Sequence, residues 1–317
     1  MMVSAKKSVM KRIWIIMLAV LVAHSAVSMV ATKLICDSIF ARYDPEAEPL
    51  PLALEELVEQ REALSFPCGE LQLAGYLYRC QTGQPRDTLV VLAPGFHAGA
   101  DDYLWQIQAL LEKGWSVFSF DPSGSCASEG KSYIGFPQEV GDLEAALSFL
   151  EQQGRFGYAS LALLGHSRGG YAAGCMLGQD YEIDAVITVS GVNSAMEAIM
   201  GYSTSYVGPL AYGNYGFLWL YQTMQFGADR VNLKAHRQIN GSDVPVLVVH
   251  GSEDVDFPAE KYSIIAHREQ ITAPQVEYLI CDEPGQNGHT DLLFAPDGTA
   301  NPRLMTAISD FLEKSIG

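Results

Sequence analysis

The order of short apolar runs and longer helical patterns is the feature of this sequence that most limits its fold. Each run is about one strand long and apolar throughout, as strands buried on both faces of a sheet are. The runs are Thr88 to Ala93, Ser116 to Phe120, Leu161 to Leu164, Ile183 to Val189, Val246 to Val249 and Val276 to Ile280. Between them, Val140, Leu143, Leu147 and Leu150 recur at helical spacing after Pro137. This alternation predicts an α/β fold, with a mostly parallel sheet and helices on both faces.

The loops at the carboxyl ends of such strands hold the chemistry of these folds. One of them is Gly165-His166-Ser167-Arg168-Gly169, which follows the run Leu161 to Leu164 and precedes a helical pattern. This is a G-x-S-x-G pattern between a strand and a helix, where the glycines permit a strained turn that exposes the serine hydroxyl. The sequence therefore predicts Ser167 as a nucleophile.

A serine hydroxyl needs a base to remove its proton and an acid to orient that base. Asp254 follows one later strand and His289 follows the next, so both should lie at the same edge of the sheet as Ser167. Their order along the chain, serine then acid then histidine, is the one expected for this architecture. We predict Asp254 as the acid and His289 as the base. Glu253 is the alternative acid if the turn is shifted by one residue.

Acyl transfer also requires amide donors for the oxyanion that develops on the substrate. One donor is predicted to be the backbone N–H of Arg168, the residue after the nucleophile. The other is predicted to be the N–H of Phe96, because Gly95 permits a close turn after the strand that ends at Ala93. His97 lies in the same loop and is a candidate for substrate contact.

These residues resemble the α/β-hydrolase superfamily, and within it the serine-aminopeptidase and monoacylglycerol-lipase-like branch. The stretch Asp121 to Gly130 is similar to the D-x-x-G-x-G-x-S-x-G run of that branch, and Glu139 and Asp142 match acids on the helix that follows. The resemblance covers about residues 60 to 315 without 193 to 243. It implies the α/β-hydrolase fold, with a small cap inserted at about 193–243.

Two positions depart from the pattern of that branch. Pro94-Gly95 stands where the branch usually has His-Gly, which bears on the assignment of Phe96 to the oxyanion hole. Cys126 stands where the branch has a glycine, which bears on the shape of the Asp121 loop but on no member of the predicted triad.

The segment expected to form the cap carries no charge from Ala198 to Ala228 and is rich in aromatic residues. Most of these rings are expected to pack within the cap, and a minority to shape a pocket for an apolar or aromatic acyl group. Tyr202, Tyr206 and Trp219 are the candidates for substrate contact. The missing charges disfavour recognition of a charged substrate end by this segment, which favours an esterase over an aminopeptidase.

The beginning of the chain differs from the rest in charge and hydropathy. Ile13 to Thr32 contains 20 residues without a charge, enough for a helix of about 30 Å, the thickness of a hydrocarbon core. Four positive residues precede it, so the remainder should lie outside the cytoplasm. Length favours an uncleaved anchor in residues 1–36, ahead of a hydrolase domain in 37–317. A signal peptide cleaved near Ala26-Val27-Ser28, with secretion of the remainder, is the alternative.

Composition excludes several other classes of function. The chain has 20 Lys and Arg against 37 Asp and Glu, a net charge of −17, which disfavours nucleic-acid binding. Its six cysteines form no CxxC or Cys/His metal spacing. Cys68 is expected near the turn of a hairpin and Cys80 far from it, a geometry that disfavours a disulfide between them. The predicted serine chemistry requires neither a metal nor an organic cofactor.

Together these patterns predict a serine hydrolase that cleaves small-molecule carboxylic esters through an acyl-enzyme. Two alternatives remain open. A serine peptidase of the same fold would use the same triad. A hydrolase fold without catalytic activity could instead serve as a binding or scaffold protein at the membrane.

Overall fold

An eight-stranded sheet lies at the centre of the part of the chain that the computed structural model describes, residues 2–46, 49–81 and 85–317, with side chains except at 2–9, 206 and 207. Its spatial order is β1-β2-β4-β3-β5-β6-β7-β8. The strands are β1 Glu62–Cys68, β2 Leu71–Tyr78, β3 Thr88–Ala93, β4 Ser116–Phe120, β5 Ser160–His166, β6 Ala185–Val189, β7 Val246–Gly251 and β8 Val276–Cys281. The pairs β1–β2 and β2–β4 are antiparallel, and all later pairs are parallel. The predicted mostly parallel sheet is therefore confirmed.

The six strands predicted from apolar runs all occur. Two have the predicted bounds, and the others differ by one or two residues at an end; β6, for example, begins at Ala185 rather than Ile183. Ile183 is buried but lies ahead of the first β6 pairing, Ala185 with Ala162. An apolar run in the sequence indicates which residues are buried, whereas the bounds of a strand depend on backbone pairing with the neighbouring strand.

Helices cover both faces of the sheet. The helices are α1 Met2–Ile39, α2 Leu52–Gln60, α3 Leu104–Glu112, α4 Phe136–Gln152, α5 Arg168–Met176, α6 Ala195–Val207, α7 Tyr215–Phe226, α8 Ala228–Val231, α9 Ala235–Asn240 and α10 Pro302–Ile316. On β5, Leu161 and Leu163 join the apolar core beneath α4 and α5, while Ala162 and Leu164 join the core beneath α3 and α10. Successive strand residues point to opposite faces, so one apolar strand serves both cores.

Helices α6 to α9 lie between β6 and β7, where the sequence predicts a cap at about 193–243. A 3₁₀ segment, Gly208–Asn214, joins α6 to α7. Ser194 caps α6 by accepting a hydrogen bond from the Glu197 N–H at 3.2 Å. The assignment of these helices as a substrate cap remains a proposal.

The first helix extends past residue 36, the proposed boundary between the N-terminal segment and the hydrolase domain. It continues to Ile39, because Thr32, Cys36 and Phe40 repeat every four residues and are all buried against the rest of the chain. Residues 10–39 are long and apolar enough to cross a membrane, a property that anchors share with signal sequences. Residues 24–36 of this helix pack beside α7, with the His24 and Phe217 rings 6.0 Å apart and the Asn214 amide donating to the Thr32 hydroxyl at 2.8 Å.

All six cysteines lie among the described residues, and none of them forms a disulfide there. Cys68 lies at the turn of the β1–β2 hairpin, opposite Leu71, and Cys80 follows the far end of β2. The hairpin therefore separates the two thiols, as the sequence predicts.

Candidate active site

Ser167 lies in the sharp turn between β5 and α5. Its φ of 54° and ψ of −114° are strained for a residue with a side chain, and its N–H donates to the Val189 carbonyl at 2.8 Å. A Cβ on Gly165 would lie 2.1 Å from the Gly169 carbonyl oxygen, and one on Gly169 would lie 2.1 Å from that of Ala93. Glycine is thus required on both sides of Ser167 by close backbone approach.

Because of this close backbone approach, Gly169→Ala is expected to destabilise the protein. We expect the free energy of unfolding to fall by about 1–3 kcal/mol, because backbone rather than a mobile side chain must move to admit the methyl group. Activity should fall as well, since Ser167 and Arg168 move with that backbone. Chemical denaturation and ester hydrolysis measure the two effects. Gly216→Ala is the matched control, because no atom lies within 4 Å of a Cβ there; an equal loss of stability in both variants would contradict the prediction.

The structure brings Ser167, His289 and Asp254 into one hydrogen-bonded line. The distance from His289 Nε2 to Ser167 Oγ is 2.8 Å, and that from His289 Nδ1 to Asp254 Oδ2 is 2.7 Å. Ser167 and Asp254 are buried, each 4% exposed. This is the geometry in which an imidazole can accept a serine proton while a carboxylate holds its other nitrogen.

Asp254 is the carboxylate that the turn directs inward, while Glu253, the alternative acid, is exposed. Asp254 Oδ1 accepts the backbone N–H groups of Asp256 at 3.0 Å and Phe257 at 2.8 Å, which leaves Oδ2 for His289. Burial alone would raise the pKa of Asp254, but the hydrogen bond and charge of His289 outweigh it and the pKa is lowered. Asp254 is therefore ionised at neutral pH.

The two predicted oxyanion donors flank the serine on different loops. Arg168 begins α5, and Phe96 lies in the loop after β3 and lines the same cavity as Ser167. The next residue, His97, has a φ of 52°, an unusual conformation for a residue with a side chain. Cys126, which stands in place of the glycine of the resembled branch, also has a positive φ, 46°. The Asp121 loop thus adopts the turn that a glycine would favour.

A hydrogen-bonded chain behind the nucleophile connects the loop of Phe96 to the loop of His289. The Gly95 N–H donates to the Tyr103 hydroxyl at 2.9 Å, and this hydroxyl donates to His166 Nδ1 at 2.8 Å. His166 Nε2 in turn donates to the His289 carbonyl at 3.0 Å. The sequence does not indicate Tyr103, since nothing in its local pattern distinguishes it from a core tyrosine.

His166 is buried in its neutral form, which predicts a pH dependence of stability. Burial, with a further contribution from the charge of His289, lowers the pKa of His166 to about 3 from the ordinary 6.5. Between these values the unfolded chain binds a proton that the folded chain does not, so stability falls as the pH falls from 6.5 toward 3. The slope from this one group is at most about 1.4 kcal/mol per pH unit. Urea unfolding of wild type and His166→Gln across this range should give a shallower slope for the variant; parallel slopes would contradict the assignment.

Arg168 and Glu139 form a fully buried ion pair beneath the serine. Their side chains are 0% exposed, with Nη2 2.5 Å from Oε2. Burial raises the pKa of Glu139, and the charge of Arg168 opposes that rise. The guanidinium also lies 4.3 Å from the centre of the Tyr133 ring. The side chain of Arg168 thus anchors the start of α5 in the core.

A cavity of about 400 Å³ opens beside Ser167 and His289. Among its lining residues are two of the predicted substrate contacts, His97 and Tyr202. Tyr206 belongs to α6, but its side chain lies outside the described part of the structure. Trp219 is not among the lining residues. Its indole N–H donates to Asn232 within the cap at 3.1 Å, so the geometry gives no support to a substrate contact there.

One group of side chains has donor atoms close enough for a metal ion among the described residues. Atoms of Asp254, Asp256 and His289 all lie within 4.8 Å of one another. Asp254 and His289, however, already bond each other, and His289 also bonds Ser167. The group therefore has an occupied hydrogen-bonding role, and it suggests no metal site.

Several known proteins are similar to this chain in sequence or in structure. Residues 84–203, which include Ser167, match the model of the serine aminopeptidase S33 hydrolase family. An esterase from Pyrococcus furiosus is similar in structure over 88% of this chain and 100% of its own, with a TM-score of 0.64 at 18% identity. Est1E from Butyrivibrio proteoclasticus, solved with ferulic acid, covers 80% of this chain and 99% of its own, with a TM-score of 0.58 at 16% identity.

Peptidases have the same architecture. A proline iminopeptidase from Mycobacterium smegmatis is similar over 80% of this chain and 98% of its own, with a TM-score of 0.54 at 15% identity. No curated protein sequence matches the chain significantly. The chain has the α/β-hydrolase fold, and the predicted fold class is confirmed. Its region around Ser167 is similar to the serine aminopeptidase family.

Proposed function

We propose that this chain is a membrane-tethered serine hydrolase that cleaves carboxylic esters through an acyl-enzyme. The observation that carries the proposal is the line of two short hydrogen bonds from Ser167 through His289 to Asp254, 2.8 and 2.7 Å. An α/β-hydrolase with this arrangement at the end of β5 has the groups that acyl transfer requires.

The residues act in sequence on an ester. His289 Nε2 takes the proton of Ser167 as Oγ attacks the carbonyl carbon, and Asp254 stabilises the resulting imidazolium. The amides of Phe96 and Arg168 bind the oxyanion. Collapse of the intermediate releases the alcohol, which receives the proton from His289. Water then attacks the acyl-enzyme with His289 again as base, which frees the acid and restores Ser167.

The lining of the cavity supports an apolar or aromatic acyl group. Aromatic and aliphatic side chains from the segments after β3 and β8 and from α6 surround the space beside Ser167; they include Phe96, Tyr202, Leu293 and Phe294. Among structural neighbours, one is an esterase and another was solved with ferulic acid, an aromatic acid. Apolar walls bind such groups by burying their surface.

A serine aminopeptidase is the second candidate, favoured by one observation in the same cavity. Asp256 lines this cavity and is exposed, so its carboxylate could bind the ammonium of a peptide N-terminus. Asp102 also lines the cavity, but its Oδ2 accepts the Gly99 N–H at 2.7 Å. The family similarity around Ser167 includes aminopeptidases, so a direct comparison of substrates is needed.

The arrangement of α1 supports attachment to a membrane. The side chains of its uncharged stretch are mostly exposed, which in water would be unfavourable for so large an apolar surface. The helix α7 packs beside the C-terminal half of this stretch and exposes Leu220 and Met224. If α1 spans a bilayer, Leu220 and Met224 lie against the leaflet that surrounds this part of α1. That position favours esters that partition into this leaflet.

The test is hydrolysis by the full chain in detergent micelles. We expect nitrophenyl esters to be cleaved with a higher kcat/KM than aminoacyl-nitroanilides, and a rise with acyl length up to the capacity of the cavity. A preference for aminoacyl-nitroanilides that Asp256→Asn abolishes would identify the aminopeptidase. A folded wild-type protein that neither hydrolyses these substrates nor reacts with a fluorophosphonate would identify the scaffold alternative.

A further inference from the structure

The segment that follows the first helix, residues 40–43, lies against the loop that carries Phe96. Phe40 is 1% exposed, and the centre of its ring is 5.7 Å from that of Phe96. Tyr43 stacks on His97, with ring centres 5.5 Å apart and an angle of 19° between the planes. His97 in turn stacks on Phe96 at 4.0 Å. The Phe40 ring meets Phe96 edge to face, at 73°, so the four rings form a continuous series of contacts from the segment to the edge of the cavity.

Backbone pairing fixes this segment in place. The Tyr43 N–H donates to the Gly124 carbonyl at 3.0 Å, and the Tyr43 carbonyl accepts the Cys126 N–H at 2.9 Å. The Phe40 carbonyl accepts the Tyr133 N–H at 2.8 Å. These bonds attach both ends of the segment to the loops after β4, so its aromatic rings have a fixed base.

Arg42 strengthens that attachment. Its Nη1 donates to the carbonyl groups of Ser128 and Gly130, each at 2.9 Å, while Asp44 binds the other edge of its guanidinium. A guanidinium with this many acceptors has little freedom, so it holds the segment to the Asp121 loop.

The loop beside the cavity needs such support. His97 has a φ of 52°, a conformation that costs a residue with a side chain of order 1–3 kcal/mol and persists only where its surroundings impose it. Phe40 packs on one side of Phe96 and Tyr43 packs on His97. The two rings therefore cover the strained pair from the side of the N-terminal segment.

We propose that residues 40–43 are a positioning element of the active site, in which Phe40 and Tyr43 hold the Phe96–His97 loop so that the Phe96 amide faces the oxyanion. This inference rests on the role of Phe96 in the proposed function. It assigns the segment after the apolar helix to the catalytic unit rather than to a linker, and it couples the position of that helix to the oxyanion hole.

The test replaces Tyr43 in the full-length protein. Tyr43→Leu keeps the backbone bonds but removes the ring, and we expect kcat for ester hydrolysis to fall about 10- to 100-fold, a part of the 10²–10³ lost with a complete oxyanion donor. KM should change less than about 3-fold, because ground-state binding does not depend on that donor. Tyr43→Phe retains the ring, so this variant should have nearly the activity of the wild type. Tyr278→Leu, an exposed tyrosine on β8, is the control.

A double-mutant cycle separates positioning from general stability. If Tyr43 acts through His97, Tyr43→Leu should cost little further activity in a His97→Ala background. Two fully additive losses, or an unchanged kcat in Tyr43→Leu, would overturn the proposal. A Tyr43→Phe variant as impaired as Tyr43→Leu would overturn it as well, since the ring would not be the active feature.

The rate of fluorophosphonate labelling provides a readout that does not depend on ester specificity. Labelling requires the activated Ser167 and the oxyanion hole, so Tyr43→Leu should be labelled at least about 10-fold more slowly than wild type. Labelled wild type without esterase activity would refute the substrate assignment alone. Equal labelling rates in wild type and Tyr43→Leu would refute the positioning role alone.

Discussion

Replacement of Ser167 by alanine is expected to lower kcat for ester hydrolysis by ~10⁶ and to abolish fluorophosphonate labelling. The variant lacks the hydroxyl that His289 activates, since Ser167 Oγ lies 2.8 Å from His289 Nε2. Residual rate should come from the oxyanion donors and the cavity. The fold should be retained, because the Ser167 N–H still donates to the Val189 carbonyl at 2.8 Å, a bond that does not involve the side chain.

Ser190→Ala is a matched control for this experiment. Ser190 is also buried, also follows a central strand and also has a positive φ, 48°. It should keep both activity and labelling. Hydrolysis that survives in Ser167→Ala, or disappears equally in Ser190→Ala, would refute Ser167 as the nucleophile.

The second large effect is expected for Asp254→Asn, a loss of about 10⁴ in kcat. Oδ1 of residue 254 accepts the N–H groups of Asp256 and Phe257, so in the variant the amide oxygen should keep that position. The amide NH₂ then faces His289 Nδ1 and donates to it. The imidazole is held with its proton on Nε2, the wrong tautomer to accept the proton of Ser167.

Glu253→Gln is the control for the choice between adjacent acids. Glu253 is exposed, and its contribution to the turn is a backbone N–H that donates to the Asn287 carbonyl at 2.8 Å. A change of less than about 2-fold is expected, since surface substitutions of this kind are usually tolerated. Steady-state kinetics of both variants decide the matter: a loss in Glu253→Gln comparable to that in Asp254→Asn would refute the assignment.

Much of the site could be predicted because its elements have local sequence signals. The glycines around Ser167 mark a close turn, and apolar runs mark the strands that end at the same edge. Parallel strands bring their carboxyl ends together whatever the helices between them are, so Ser167, Asp254 and His289 could be grouped without coordinates. The hydrogen bonds that join the three residues in the structure agree with that grouping.

Other parts of the site could not be predicted, since they depend on side-chain packing between distant segments. Tyr103 bonds His166 across 63 positions in the chain, and no local pattern indicates this partner. Trp219 was expected to contact substrate because it is aromatic and lies in the cap, but composition does not show which way a helix faces. In the structure its indole bonds Asn232.

The sequence by itself determined an α/β fold with a mostly parallel sheet, the strained turn at Ser167 and the chain order of serine, acid and histidine. These follow from hydrophobic periodicity and from the few residues that a close turn admits. Tertiary structure alone decided that Asp254 rather than Glu253 faces His289, and that Phe40 and Tyr43 pack on the loop of Phe96. The reason is physical: periodicity reports which face of an element is buried, whereas the partner of a buried side chain is set by how several elements pack together.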